Sequence, residues 1–246
     1  MCGRFTLALS PEELAQLMAL DAALDLELGL RPRYNIAPGQ DVVAAVQEAP
    51  DGPREARVFR WGLVPSWAQD PAIGNRLVNA RAETAAAKPS FRDAYRRRRC
   101  LVPADGFYEL QRQGGRKQPW IFRVIDEPGF CMAGLWETWR PSGAEPLHTC
   151  TLLTTAANAL LRPVHDRMPV ILHRDDYERW LTTQPDAATG LRDLLRPFPA
   201  EAMTAWPVGP LVGNPRNDVP ECVEPVGLAE APDNADDESG GQMSLL

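Results

Sequence analysis

The chain has 246 residues, 44% hydrophobic and 24% charged, with a net charge of −7 at pH 7. That length fits one large domain or two small ones with a substantial core, and no run approaches the roughly 18 apolar residues of a membrane span. The charge argues against a uniformly basic nucleic-acid binder, but seven acidic residues and no Lys or Arg lie from Glu221 to Leu246; the other 26 acidic residues balance the 26 Lys and Arg, so a local basic surface is permitted.

Met1-Cys2-Gly3-Arg4-Phe5 opens the sequence. Cys is small enough for a methionine aminopeptidase to remove Met1, so Cys2 is expected to become the amino terminus. It would then carry an α-amine of pKa about 8 and a thiol of pKa about 8.5 on adjacent carbons. Such a 1,2-aminothiol condenses with an aldehyde. The amine forms an imine, the thiol adds to it, and a thiazolidine closes. Gly3 leaves room beside the backbone, and Arg4 can hold an anion such as a phosphate. The alternative is that Cys2 is only a small residue at a frayed end. No secretory signal is visible, because helix-like acidic sequence follows residues 1–9 directly.

Ser10-Pro11-Glu12-Glu13 predicts a helix start with a capping box. Leu14, Leu17, Met18 and Leu20 supply its buried stripe. Tyr34–Gln40 is expected to be a turn-rich loop, followed by strands over Val42–Val46 and Ala56–Trp61. Gly62–Trp67 reads as a loop bearing exposed apolar side chains. Val78–Thr84 precedes a short helical piece, and Asn79 and Arg81 alternate in an extended segment, which lets their side chains share one face. Phe91–Arg99 reads as a helix. Its Arg96–Arg99 run is the strongest basic cluster, either a solvated face or an anion surface.

Strands are expected over Leu101–Pro103, Gly106–Gln111, Trp120–Ile125, Phe130–Glu137 and His148–Thr155. Gly114-Gly115 marks a hairpin turn. A helix is expected over Ala156–Leu161, then a loop from His165 running into a strand through Leu172. Helical spacing returns at Tyr177, Trp180 and Leu181 and at Leu191, Leu194 and Leu195. A Pro/Gly-rich stretch, Trp206–Val226, ends the folded body. Strands interleaved with short helices, without regular βαβ spacing, predict an α+β fold around a largely antiparallel sheet.

The five cysteines, Cys2, Cys100, Cys131, Cys150 and Cys222, include no C-x-x-C pair. This argues against zinc and a disulfide framework and for a reducing, cytoplasmic compartment. No metal-ligand spacing or phosphate-binding glycine loop is present, and no cofactor is expected. An aldehyde-capturing Cys2 would need an acid and a base. Glu109, flanked by Phe107, Tyr108 and Leu110, either faces solvent or points into a site. His165 is one of three histidines and is either structural or catalytic. Arg greatly outnumbers Lys, which occurs only at 88 and 117. Arg suits phosphates and bases, although biased genome composition gives the same excess.

Seven segments occur in one order: Met1–Phe5, Tyr34–Pro38, Trp61–Trp67, Asn79–Thr84, Arg99–Glu109, His165–Pro169 and Asn214–Asn217. Together they resemble the SOS response-associated peptidase (SRAP) family of abasic-site processing proteins, over about residues 2–226. The resemblance implies a single α+β domain with mainly antiparallel sheets, a barrel-like core and flanking short helices. It implies a monomer that covalently captures abasic sites in single-stranded DNA. Cys2 would carry the nucleophiles, Asn79 would position the sugar, Glu109 would serve as acid and base, and His165 would assist proton transfer and contact the adjacent phosphate. Arg4, Arg81 and Arg167 would bind phosphates, and Asn35, Pro38 and Trp67 would line the strand's path. The peptidase label implies autoprocessing before Cys2. The family commonly has Trp after its catalytic Glu; here Leu110 stands there, which forfeits aromatic stacking on a base.

Residues 227–246 form an acidic tail, with Ala229–Gly241 expected to be disordered. Gln242-Met243-Ser244-Leu245-Leu246 resembles the peptide by which bacterial proteins dock on the replication sliding clamp, a polar Gln and two Leu suited to a hydrophobic groove. Rival readings are an N-terminal-nucleophile amidohydrolase attacking amides, a thiol peptidase using Cys2 and His165, and a noncatalytic DNA or clamp adaptor.

Overall fold

A computed structural model describes residues 2–21, 31–113, 116–141, 143 and 145–227. Met1, the Gly114-Gly115 turn, and the tail from 228, including Gln242–Leu246, lie outside the described residues. The strands are β1 (Phe5–Leu7), β2 (Arg33–Ile36), β3 (Asp41–Val46), β4 (Glu55–Trp61), β5 (Asn79–Arg81), β6 (Arg99–Ala104) and β7 (Gly106–Gln113). They continue with β8 (Arg116–Val124), β9 (Phe130–Trp139), β10 (Leu147–Ala156), β11 (Arg167–Pro169), β12 (Ile171–Leu172) and β13 (Met203–Pro207). Four short α-helices accompany them: α1 (Pro11–Met18), α2 (Ala82–Ala85), α3 (Arg92–Arg97) and α4 (Tyr177–Thr182).

Strands β10, β4, β3, β6 and β9 pair in that order, and β9 also pairs with β10, so the five close into a barrel. Closure satisfies both edges of every strand in the ring. Its strands carry continuous apolar runs, such as Val42–Val46 and Phe130–Trp136, buried at every position because both faces of the wall are covered. At Gly134 on β9 a Cβ would sit 2.7 Å from Cys100 Sγ, so the wall admits only glycine there. Strand β5 extends the barrel by pairing in parallel with β10, and β10 also runs parallel to β4. The other pairings are antiparallel, as expected for an α+β fold.

A second sheet, in the order β13-β8-β7-β1-β2, packs against the barrel. Phe107 on β7 stacks on Phe122 of β8 and meets Phe130 of β9 edge-on, while Phe5 on β1 meets Trp61 of β4 edge-on at 5.2 Å. These rings bind the two layers into one core and fix where β1, and hence Cys2, lies.

Local signals account for the helices. The Ser10 side chain accepts from the Glu13 N–H, and Glu13 reaches back to the Ser10 N–H, completing the predicted box. Leu14, Leu17 and Met18 are buried and Leu20 is half-buried.

Five expectations need correction. Tyr34–Ile36 belongs to β2, because β1 offers it a free edge, with Ile36 opposite Phe5. In the 62–67 loop, Leu63, Val64 and Pro65 are buried and Trp67 alone projects its large apolar surface. Gly62 (φ 134°) and Gly74 lie back to back, a Cβ on either meeting the other's carbonyl oxygen within 2.8 Å, and this contact seats the loop. Arg99 is no solvated charge. It is buried at the start of β6 and donates to the carbonyls of Tyr95, Arg96, Trp180, Leu181 and Thr183. Ala156 remains in β10, paired with Arg167, and residues 159–164 form only turns: Asn158 Oδ1 caps them by accepting from the Leu161 N–H, and Pro163 has no N–H with which to continue them as a helix. Leu191 and Leu194 lie on a 3₁₀ helix, Pro185–Leu194.

Candidate functional site

The register of β1 on β7 delivers Cys2. Phe5 lies opposite Phe107 and Thr6 opposite Gly106. The pairing continues past the strand end, with the Tyr108 N–H donating to the Arg4 carbonyl at 3.0 Å. Residues 2–4 therefore run alongside Tyr108–Leu110, and Cys2 is wholly buried.

Asn79 comes from the barrel side. Its place on β5 is set by pairing with Leu152 of β10, and its Nδ2 donates to the Cys2 carbonyl at 2.7 Å. The amide's Oδ1 is buried and, among the described residues, has no hydrogen-bond partner. Glu109 is 5% exposed. It lies opposite Trp120 of β8, so both side chains project from one face of the outer sheet. That sheet face is turned inward, which decides between the two orientations left open for Glu109.

The three groups sense one another. Burial, then the charge of Glu109, pushes the Cys2 thiol far above the ordinary thiol range. Burial likewise raises the Glu109 carboxyl, and the charge of His165 partly opposes it. His165 is held from its own loop, its Nδ1 lying 3.0 Å from the Arg167 N–H and 2.9 Å from Asp166 Oδ1. Asp166 is 85% exposed, so the backbone N–H is the more fixed of these two partners.

Next to Cys2 a cavity of about 240 Å³ is bounded by Gly3, Arg4, Glu109, Leu110, Pro119 and Val212. Leu110 is 41% exposed and contributes an apolar wall. Among the described residues no group of three or more His, Cys, Asp or Glu is arranged to hold a metal ion.

The residues expected along a strand's path separate into groups. Pro38, Trp67 and Arg81 are exposed. Arg4 is half-buried, and its Nη1 donates to Asn35 Oδ1 at 2.8 Å and to the Val212 carbonyl. Arg167 grips Glu83 through both terminal nitrogens, at 2.7 and 2.9 Å. Asn35 is the exception. It is fully buried, and its Nδ2 donates to the carbonyls of Val212, Asn214 and Asn217. It cannot line a surface; it pins the 212–217 segment behind Arg4. Asp218 extends the pin, its Oδ1 accepting the N–H groups of Tyr34 and Asn35. Sequence reading missed Asp218 and Glu83, although each lies in or next to a segment that carries the family resemblance.

A barrel whose outer sheet threads a cysteine onto a buried carboxylate, within reach of an imidazole and an amide, defines a class of α+β protein with a candidate nucleophile at position 2. The family model described as SOS response associated peptidase (SRAP) matches residues 1–215, and the chain belongs to that family. It is 39% identical over 225 residues to the abasic site processing protein YoqW of Bacillus subtilis, covering 91% of this chain and 99% of that one. It is 33% identical to the abasic site processing protein YedK of Escherichia coli, covering 92% of this chain and 100% of that one. A crystal structure of a Bacteroides thetaiotaomicron protein superposes with a TM-score of 0.81 at 28% identity, covering 92% of this chain and 100% of that chain.

Proposed function

We propose that this protein responds to abasic sites in single-stranded DNA by forming a covalent crosslink through Cys2. The convergence of Cys2, Asn79, Glu109 and His165 carries the reading, and the names of its relatives support it.

The chemistry follows from the groups. With Met1 removed, the Cys2 amine attacks the aldehyde carbon of the ring-opened sugar and gives a carbinolamine. Loss of water gives an imine. The thiol then adds to the imine carbon, its proton passes to the imine nitrogen, and a thiazolidine closes. One water is released overall.

Glu109, held above the usual carboxylate range by burial, is suited to protonate the departing hydroxyl and to receive a proton afterwards. His165 is suited to assist ring opening and to contact the neighbouring phosphate. Asn79 holds the Cys2 backbone, and its Oδ1, unpaired among the described residues, offers an acceptor to the amine or the sugar hydroxyl. Burial raises the Cys2 thiol, which favours the amine as first nucleophile and the sulfur as the group that closes the thiazolidine. Holding the reacting groups together makes ring closure effectively intramolecular. The ring consumes the imine before β-elimination can cut the strand, so the adduct shields the site.

Arg4, Arg81 and Arg167 supply positive charge for phosphates, and Pro38 and Trp67 supply surface along the strand. Residues 242–246 would tether the protein to the replication sliding clamp; deleting Gln242–Leu246 should then abolish clamp pull-down, and unchanged recovery would remove that tether.

Intact mass spectrometry after mixing with an abasic oligonucleotide tests the central reading. The expected species is the chain without Met1 plus the oligonucleotide less one water, absent for Cys2→Ala. An adduct of equal yield from Cys2→Ala, or a mature chain retaining Met1, would sink it.

A further inference from the structure

The fork of Arg167 is already full. Nη1 and Nη2 donate to the two carboxylate oxygens of Glu83, and Nη2 also donates to the Thr154 carbonyl. Nε is buried and, among the described residues, has no hydrogen-bond partner. Besides that buried hydrogen only the second hydrogen of Nη1 is left for another acceptor, too little for the two parallel bonds by which a guanidinium holds a phosphate. A planar carboxylate on this fork makes the same two bonds that two phosphate oxygens would make.

The partners differ in freedom. The Arg167 side chain is 14% exposed and that of Glu83 51% exposed. Glu83 sits in the first turn of α2, two residues after the exposed Arg81. The hydrogen bonds from Arg167 hold its carboxyl below the usual range against the effect of burial, and the charges of Arg167 and Arg81 add to this. Glu83 is thus an anion between two cations, on a side chain that can rotate into water while Arg167 stays anchored to Thr154. The backbone N–H of Arg167 still holds His165, so releasing Glu83 leaves the imidazole in place.

We propose that Glu83 is a built-in stand-in for a DNA phosphate: it occupies the Arg167 fork in the free protein, and an incoming strand must displace it. This rests on the single-stranded DNA reading above. Its consequence is that Glu83 weakens binding to undamaged strands and so sets the threshold for engagement.

The test is the affinity of the full chain for a single strand lacking an abasic site, titrated across salt concentrations. Wild type, Glu83→Gln, Glu83→Ala, Arg167→Ala and the Glu83→Gln/Arg167→Ala double variant are compared, and thermal unfolding checks that each is folded. Both Glu83 variants should bind about three- to tenfold tighter at low salt. Their log affinity against log salt should be steeper by up to about 0.7, the increment for one phosphate on a single strand. The double variant should bind no tighter than Arg167→Ala. An equal gain from Glu83→Gln without Arg167 would overturn the proposal, since that is a diffuse charge effect. An unchanged affinity in both Glu83 variants, with Arg167→Ala weakened, would overturn it while leaving the DNA reading intact. A wild-type chain that fails to bind the strand, or an Arg167→Ala variant that binds as wild type does, would overturn the DNA reading at this residue and the proposal with it.

Discussion

Asn79 Nδ2 donates to the carbonyl oxygen of Cys2 at 2.7 Å, joining the barrel to the segment before β1 that carries the candidate nucleophile. The bond crosses between the two sheets, so it fixes Cys2 relative to groups that β1 and β7 alone could not orient. Asn79→Ala should slow adduct formation by about ten- to a hundredfold at saturating DNA, because small misplacements of a reacting group are costly. Single-turnover adduct kinetics measure this. Asn79→Asp should be no better, since a carboxylate cannot donate to the carbonyl.

Glu109→Gln should lose about 10²- to 10⁴-fold in adduct rate, the range for a positioned acid or base, while making the fold more stable at neutral pH. The sign follows from burial, which raises the folded-state carboxyl pKa. The folded protein then holds the proton more tightly than the unfolded chain does. Stability from this group is full below the unfolded pKa and is lost as pH rises through the folded value. Removing the carboxylate removes that loss, so the melting-temperature gain of Glu109→Gln should be largest at neutral pH and shrink toward pH 4. A gain independent of pH would contradict the assignment.

Asn35→Ala should destabilise the protein by about 3 kcal/mol, since it strands the three carbonyls that Asn35 serves and removes an acceptor from Arg4. Denaturant unfolding reads this directly. A fully stable variant with weakened DNA binding would return Asn35 to the role of a strand contact.

Leu110→Trp should tighten binding to single-stranded DNA by about 1–3 kcal/mol, the worth of one base–aromatic stack. Leu110 is already 41% exposed beside the cavity, so the larger ring has room. Fluorescence anisotropy with an undamaged strand reports the change, and no gain would mean that no base reaches this wall.

Most of the strands were legible because alternating or continuous apolar runs betray them, and the start of α1 because its capping box is local. The helix expected over Ala156–Leu161 is absent for a reason spacing cannot show: Ala156 is held in β10 by pairing with Arg167, which leaves room for only a few turns before the chain returns as β11. Arg99 was misread because four consecutive arginines look alike in sequence, while only the turn from α3 into β6 buries the last of them.

By itself, the sequence determined which residues carry the candidate chemistry and that they recur in the order of one family, because side-chain type and spacing are written in the chain. The tertiary structure alone decided that Glu109 faces inward, that Asn35 is a buried pin and that Glu83 fills the Arg167 fork. Those outcomes depend on pairings between segments far apart in the chain, such as Phe5 beside Phe107 and Asn79 beside Leu152. No local pattern encodes them, because strand register and barrel closure are settled only when all the partners meet.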